Sequence, residues 1–124
     1  MTINEAISKI DDLKSNVFSV ADKIGWLSRL DGMVKHLVID RHEGGSDVNF
    51  TEYNEDTDMH TELLVPHPFD GIYLYWLEAQ IDYHNGELNK YNNSIAMFQS
   101  SFETYKSDYI ANHKPISKGR RFLF

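Results

Sequence analysis

Phe69-Asp70-Gly71-Ile72-Tyr73-Leu74-Tyr75-Trp76-Leu77-Glu78-Ala79-Gln80-Ile81-Asp82-Tyr83-His84-Asn85-Gly86-Glu87-Leu88, with its continuation to Tyr109, decides the fold of this chain. Beyond Asn85-Gly86, the residues Leu88, Tyr91, Ile95, Phe98, Phe102, Tyr105 and Tyr109 recur at spacings of 3, 4, 3, 4, 3 and 4. That is a heptad seam, and such a stripe must be covered by another helix. The run Ile72 to Leu77 is apolar all round, so its helix should be the most buried element. Pro68-Phe69-Asp70 reads as the helix start, with Asp70 as N-cap or first-turn acid. Asn85 and Gly86 both tolerate the left-handed conformation of a helix C-terminus and mark a stop. The expected geometry is an antiparallel helical hairpin, with one kinked helix as the alternative. The seam is then expected to be core within the chain, with an oligomer seam as the rival use. Tyrosines at 91, 105 and 109 suit the core edge, where the ring is buried and the hydroxyl stays wet.

Working toward the N-terminus, Arg41 to Pro68 has a different character. It holds Gly44-Gly45, Pro66, Pro68 and seven acidic residues. Val48 and Phe50 alternate with polar residues, and Leu63-Leu64-Val65 is a short apolar run. A small β-hairpin pairing these pieces is one expectation, and a long ordered loop is the other. Upstream, Ile24, Leu27, Leu30, Val34, Leu37 and Val38 form one stripe, widened by Trp26 and Met33, and predict a helix over about 20–39 started by Ser19. Gly25 and Gly32 lie on nearly one face of it, where either a second backbone approaches closely or the glycines are simply tolerated. Thr2 and Glu5 have capping-box spacing before Ile3, Ala6, Ile7, Ile10 and Leu13, which predicts a helix over about 3–14. The expected fold class is therefore mainly α. It is a single-domain helical bundle of about four helices with an irregular acidic insertion: N-terminal helices over 1–40, the loop over 41–68, the aromatic hairpin over 69–112 and a basic tail over 113–124.

At 124 residues one domain with one core is expected. No run approaches the length of a membrane span, so no membrane role is expected. The first residues lack a basic and apolar leader pattern, which predicts no secretory signal. Cysteine is absent, which removes disulfide and thiolate chemistry and suits a cytosolic product. The net charge of −7 argues against specific nucleic-acid binding. That charge is uneven. From His113 to Phe124 there are four basic and no acidic residues, leaving 8 basic against 19 acidic in the remainder, a balance of −11. The tail ends Lys118-Gly119-Arg120-Arg121-Phe122-Leu123-Phe124, and aromatic plus arginine is the composition of interface anchors. Lys118, Arg120, Arg121, Phe122 and Phe124 are accordingly the candidate partner-binding residues, through docking on the chain's own body or on a partner.

Chemistry-bearing motifs are sparse. None of the histidines at 36, 42, 60, 67, 84 and 113 has the i, i+4 spacing of a helical zinc pair. His42-Glu43 could meet Asp56, Asp58 and His60 at a metal if the loop folds back. No nucleophile elbow and no phosphate loop is present. No catalytic, cofactor or metal residue is assigned, and the protein is expected not to be an enzyme.

Four segments carry a resemblance. They are Thr61 to Asp70 (TELLVPHPFD), Tyr73 to Tyr83 (YLYWLEAQIDY), Asn85-Gly86-Glu87, and Tyr91 to Phe98 (YNNSIAMF), with a looser fit at Phe18-Ser19 to Trp26-Leu27 and Asp31 to Val34. Together they resemble small head-region structural proteins of tailed bacteriophages and prophages, of the head–tail connector (adaptor) type. The resemblance is strongest from Glu62 to Phe98 and weakest over Glu43 to Met59 and in the tail. It implies an all-α bundle that joins a homo-oligomeric ring beneath the portal, continues the DNA channel, contacts portal or tail proteins and has no catalytic residues or cofactor. It further implies assembly in the host bacterial cytoplasm and a place in the virion. Acidic walls would keep passing DNA from sticking. Two rivals are a non-virion protein–protein interaction module, such as a prophage regulator, and a metal-dependent enzyme using His42, His60 and the acidic loop.

Overall fold

The computed structural model describes residues 1–116. Four helices follow in order: α1 (Ile3–Leu13), α2 (Val20–Leu37), α3 (Ile72–His84) and α4 (Leu88–Asn112). Short 3₁₀ turns at Ile39–Arg41 and Gly45–Asp47 lead from α2 into the long connection to α3.

Helix starts follow local chemistry. The Thr2 hydroxyl accepts from the Glu5 N–H at 3.1 Å while the Glu5 carboxylate accepts from the Thr2 N–H at 2.9 Å, completing the capping box. The Ser19 hydroxyl accepts from the Asp22 N–H at 3.0 Å at the head of α2. α3 departs from expectation. It is entered through Gly71 with no side-chain cap. Asp70 instead turns its carboxylate toward the Met1 amino group at 3.7 Å and His67 at 3.6 Å. Gly86 adopts φ +75° between α3 and α4, a conformation glycine reaches without Cβ strain. The closed hairpin is therefore the geometry found.

The hairpin's seam is filled from within the chain. Trp76 meets Phe98 with ring centroids 4.9 Å apart, Phe69 meets Tyr105 at 6.0 Å and Tyr83 meets Tyr91 at 5.4 Å. Phe98 and Tyr105 are buried, and Ile95, Phe102 and Tyr109 pack at the core's margin. Leu88 is 63% exposed and leaves the seam, because the helix begins there beyond the reach of α3. α3 is buried on several faces through Ile72, Tyr73, Trp76, Leu77, Ala79 and Ile81, since α1 and α2 cover the sides that α4 does not. The core is continuous across all four helices and also takes in Tyr53, Leu63 and Val65.

No β-hairpin forms in the acidic insertion. Among the described residues there are only isolated bridges, Thr2 to Glu62 and His42 to Pro115. Leu63 donates to the Met1 carbonyl at 2.9 Å, and the Thr61 and Met59 carbonyls accept from the Ile3 and Asn4 N–H groups at 3.1 and 2.9 Å. The loop thus satisfies donors that every helix N-terminus leaves open. The other leg runs beside α2, where the Tyr53 N–H donates to the Ser28 hydroxyl at 3.0 Å. The alternation of Val48 and Phe50 reflects a chain lying along a helix, a half-buried setting that shares its period with a strand. Between the legs, Asn54 and Asp58 close tight turns by accepting from the Asp56 and His60 N–H groups, both at 2.8 Å.

Candidate functional site

The most constrained polar group in the protein is Asp31, and it was not singled out from sequence. It projects from α2 into the core and is fully buried. Its carboxylate accepts from the Tyr53 hydroxyl at 2.6 Å, the Tyr73 hydroxyl at 2.6 Å and the Leu64 N–H at 3.0 Å. The Tyr73 hydroxyl in turn accepts from the Val65 N–H at 2.7 Å. One carboxylate therefore joins α2, both legs of the acidic insertion and α3. Burial raises the Asp31 pKa above the ordinary aspartate range, against the opposing pull of its hydrogen bonds. Burial and the neighbouring carboxylate push both tyrosines well above their usual range, which keeps them as donors. With both carboxylate oxygens engaged and Asp31 fully buried, the cluster is a structural clasp.

A second clasp sits at the other end of α3. Asp82, fully buried, accepts from the Ser94 hydroxyl at 2.7 Å and pairs with Lys14. It binds the α1 terminus and α4 to α3. Nearby, the Lys23 ammonium is covered and donates to Asp11 at 2.7 Å and to the Phe18 carbonyl at 2.9 Å. The Trp76 indole donates to the Trp26 carbonyl at 2.8 Å. No buried side-chain polar atom among the described residues lacks a partner.

Two surfaces are left. The first is an open groove of about 680 Å³ on the outer face of α2. Gly25, Gly32, Met33 and Leu37 form its floor, and Phe50 and Tyr53 form one wall. Arg29 and Glu52 supply its charges, and His36 is a further polar lining residue. The close backbone approach anticipated at the glycines does not occur. A Cβ at Gly25 would meet nothing within 4 Å, and one at Gly32 only the Phe50 ring at 3.9 Å. The second surface is the bundle end where the α1–α2 and α3–α4 turns meet. Phe18, Trp26 and His84 pack together there, with ring centroids 5.3 to 5.9 Å apart. Leu13, Val17, Val20, Tyr83 and Leu88 on these turns are exposed.

The histidines and loop acids do not converge. His42 is buried, its Nδ1 2.6 Å from the Val38 carbonyl and its ring against Tyr109. Asp56, Asp58 and His60 are exposed in the turns of the insertion. Among the described residues no group of three or more His, Asp or Glu side chains is placed to hold a metal ion. Also among them, no helix is long and apolar enough to cross a membrane. The tail candidates Lys118, Arg120, Arg121, Phe122 and Phe124 lie outside the described residues. Comparison with protein-family models, curated proteins and solved structures finds no match for this chain.

Proposed function

We propose that this chain is a phage or prophage virion structural protein of the head–tail connector type, assembling by self-association into a ring and contacting portal or tail proteins. The reading is supported by where the motif-bearing residues fall. Leu64 and Val65, Tyr73, Asp82 and Ser94, all within the stretch that resembles connector proteins, are the residues that the Asp31 and Asp82 clasps hold together. That stretch is a scaffold, and its contacts belong to the surfaces around it. The protein would work through binding rather than through a reaction, and would be made in the host bacterial cytoplasm before entering the particle.

The test is deletion of the coding sequence from an inducible phage or prophage that carries it, followed by electron microscopy of the lysate. The expected result is DNA-filled heads and free tails that fail to join, restored by supplying the gene in trans. Tailed particles at the parental yield would overturn the proposal. A second reading, a non-virion interaction module or prophage regulator, is favoured by the exposed apolar bundle end at Leu13, Val17, Val20, Tyr83 and Leu88. A stable dimer by native mass spectrometry, lost on replacing Val17 and Leu88 with Ser, would favour it over a ring.

A further inference from the structure

We propose that the two apolar surfaces left open on this protein meet each other between copies, the α1–α2 turn of one chain, led by Val17, seating in the α2 groove of the next. The inference rests on the self-associating reading above and names its contact. The first argument is shape. Asn16 closes the turn by accepting from the Phe18 N–H at 3.1 Å and donating to the Lys14 carbonyl at 3.0 Å and to Asp11 at 3.1 Å. Held in this way, the turn presents Val17 at 93% exposure, between Leu13 at 71% and Val20 at 49%. It is an apolar projection fixed before any partner arrives, and exposed apolar groups gathered in one place mark interaction sites. The groove has the reverse shape. Gly25 and Gly32 leave its floor without side chains, and Met33, Leu37 and Phe50 line it with apolar atoms.

The second argument is charge. Arg29 stands between the two glycines along α2, is exposed, and makes no ion pair among the described residues. Asp12 and Asp22 flank the projection, exposed and likewise without an ion pair among the described residues. Seating the turn in the groove brings these acids to Arg29, while Glu52 on the wall repels them and so turns them toward it. The symmetric alternatives are worse. Two turns end to end would set Asp12 and Asp22 against their own copies, on chains that each carry a net charge of −7. Two grooves face to face would set Arg29 against Arg29 and leave a concave strip unfilled. The third argument is symmetry. Turn and groove are unlike surfaces, so each added chain keeps one of each free. A contact of this kind propagates, and it closes into a ring where its rotation permits.

The test exploits a chain without cysteine. Full-length Val17→Cys is mixed at high concentration with full-length Gly25→Cys or Gly32→Cys, oxidised mildly, and the products are mapped by peptide mass spectrometry. All three positions accept the new side chain, Val17 being exposed and neither glycine crowded. The expected result is a disulfide joining position 17 of one chain to position 25 or 32 of another. Its yield should stand several-fold above that of a control mixture of Val17→Cys with Ser107→Cys, which lies exposed on α4. Adding Arg29→Glu to the groove variant should leave its circular dichroism native and lower the yield several-fold. A product dominated by 17-to-17 disulfides, a yield no higher than the control, or one untouched by Arg29→Glu would each overturn the proposal. The lysate experiment is a separate readout, so unjoined heads and tails without this cross-link would remove the contact and leave the virion reading standing.

Discussion

Replacing Asp31 with alanine should be among the most damaging single changes available to this protein. The substitution strands three donors at once: the hydroxyls of Tyr53 and Tyr73, each 2.6 Å from the carboxylate, and the Leu64 N–H at 3.0 Å. A buried donor left without an acceptor costs about 1–3 kcal/mol. Three of them give a gross cost of about 3–9 kcal/mol, offset in part because the carboxylate's own burial penalty disappears. A net loss of about 3–5 kcal/mol is expected, the usual size for breaking a buried charged cluster. A chain of this length has about 6–18 kcal/mol in total, at ~0.05–0.15 per residue. In urea, at a slope of ~1.5 kcal/mol per molar, the unfolding midpoint should fall by roughly 2–3 M. Far-UV circular dichroism and tryptophan fluorescence would follow it. Tyr53→Phe and Tyr73→Phe refine the reasoning. The Tyr53 hydroxyl makes only the Asp31 bond, whereas that of Tyr73 also accepts from the Val65 N–H at 2.7 Å, so its removal orphans a backbone donor too. Tyr73→Phe should therefore cost more, by about 1–2 kcal/mol. An Asp31→Ala loss under about 1 kcal/mol, or equal effects of the two phenylalanines, would refute the clasp.

The same carboxylate fixes a sign for pH. Burial raises the Asp31 pKa in the folded state above its ordinary value of 3.8. The folded protein thus binds that proton more readily than the unfolded chain does. Its contribution to stability is fully present below pH 3.8 and declines as pH rises through the folded pKa. The stability difference between the parent and Asp31→Asn, measured by urea titration from pH 3 to pH 7, should accordingly shift against the parent as pH rises. A shift in the parent's favour would contradict the assignment. The comparison with Asn cancels groups of opposite sign such as Asp11, whose lowered pKa adds stability above the ordinary carboxylate range and loses it as pH falls.

Gly45→Ala and Gly25→Ala should move in opposite directions. A Cβ at Gly45 would lie 2.2 Å from the Ile39 carbonyl oxygen, a backbone clash that costs on the order of 2 kcal/mol or more. One at Gly25 meets nothing, and alanine should add up to about 1 kcal/mol inside α2; thermal melts read both. In the hairpin, Phe98→Ala should cost about 3–5 kcal/mol by opening a cavity against Trp76. Met97→Ala, its half-exposed neighbour on the outer face, should stay within about 0.5 kcal/mol of the parent.

What could be read from the residues was whatever is local. The Thr2–Glu5 box, the Ser19 cap and the Asn85-Gly86 stop each involve partners a few positions apart, and each appears as expected; the aromatic seam was legible from its own spacing along one helix, Leu88 excepted. The insertion resisted because its anchors are distant. Tyr53 and Leu64 reach Asp31 across 22 and 33 residues, and Thr61 reaches the head of α1 across 58. A signal was nonetheless present. Asp31 stands seven residues after Ile24, four after Leu27, three before Val34 and seven before Val38, in the middle of the apolar stripe. A lone carboxylate there must find donors, since an unpaired buried charge is too costly to keep. Asp82, five residues past the apolar run of α3 and one residue after buried Ile81, poses the same demand and is answered by Lys14 and Ser94. In a bundle without disulfides, these two acids place the long loop and the N-terminal helix against the hairpin. Apolar burial alone would tolerate several registers there. Directional bonds to a fixed carboxylate leave one, so the scaffold's surfaces are held in a single arrangement for whatever they bind.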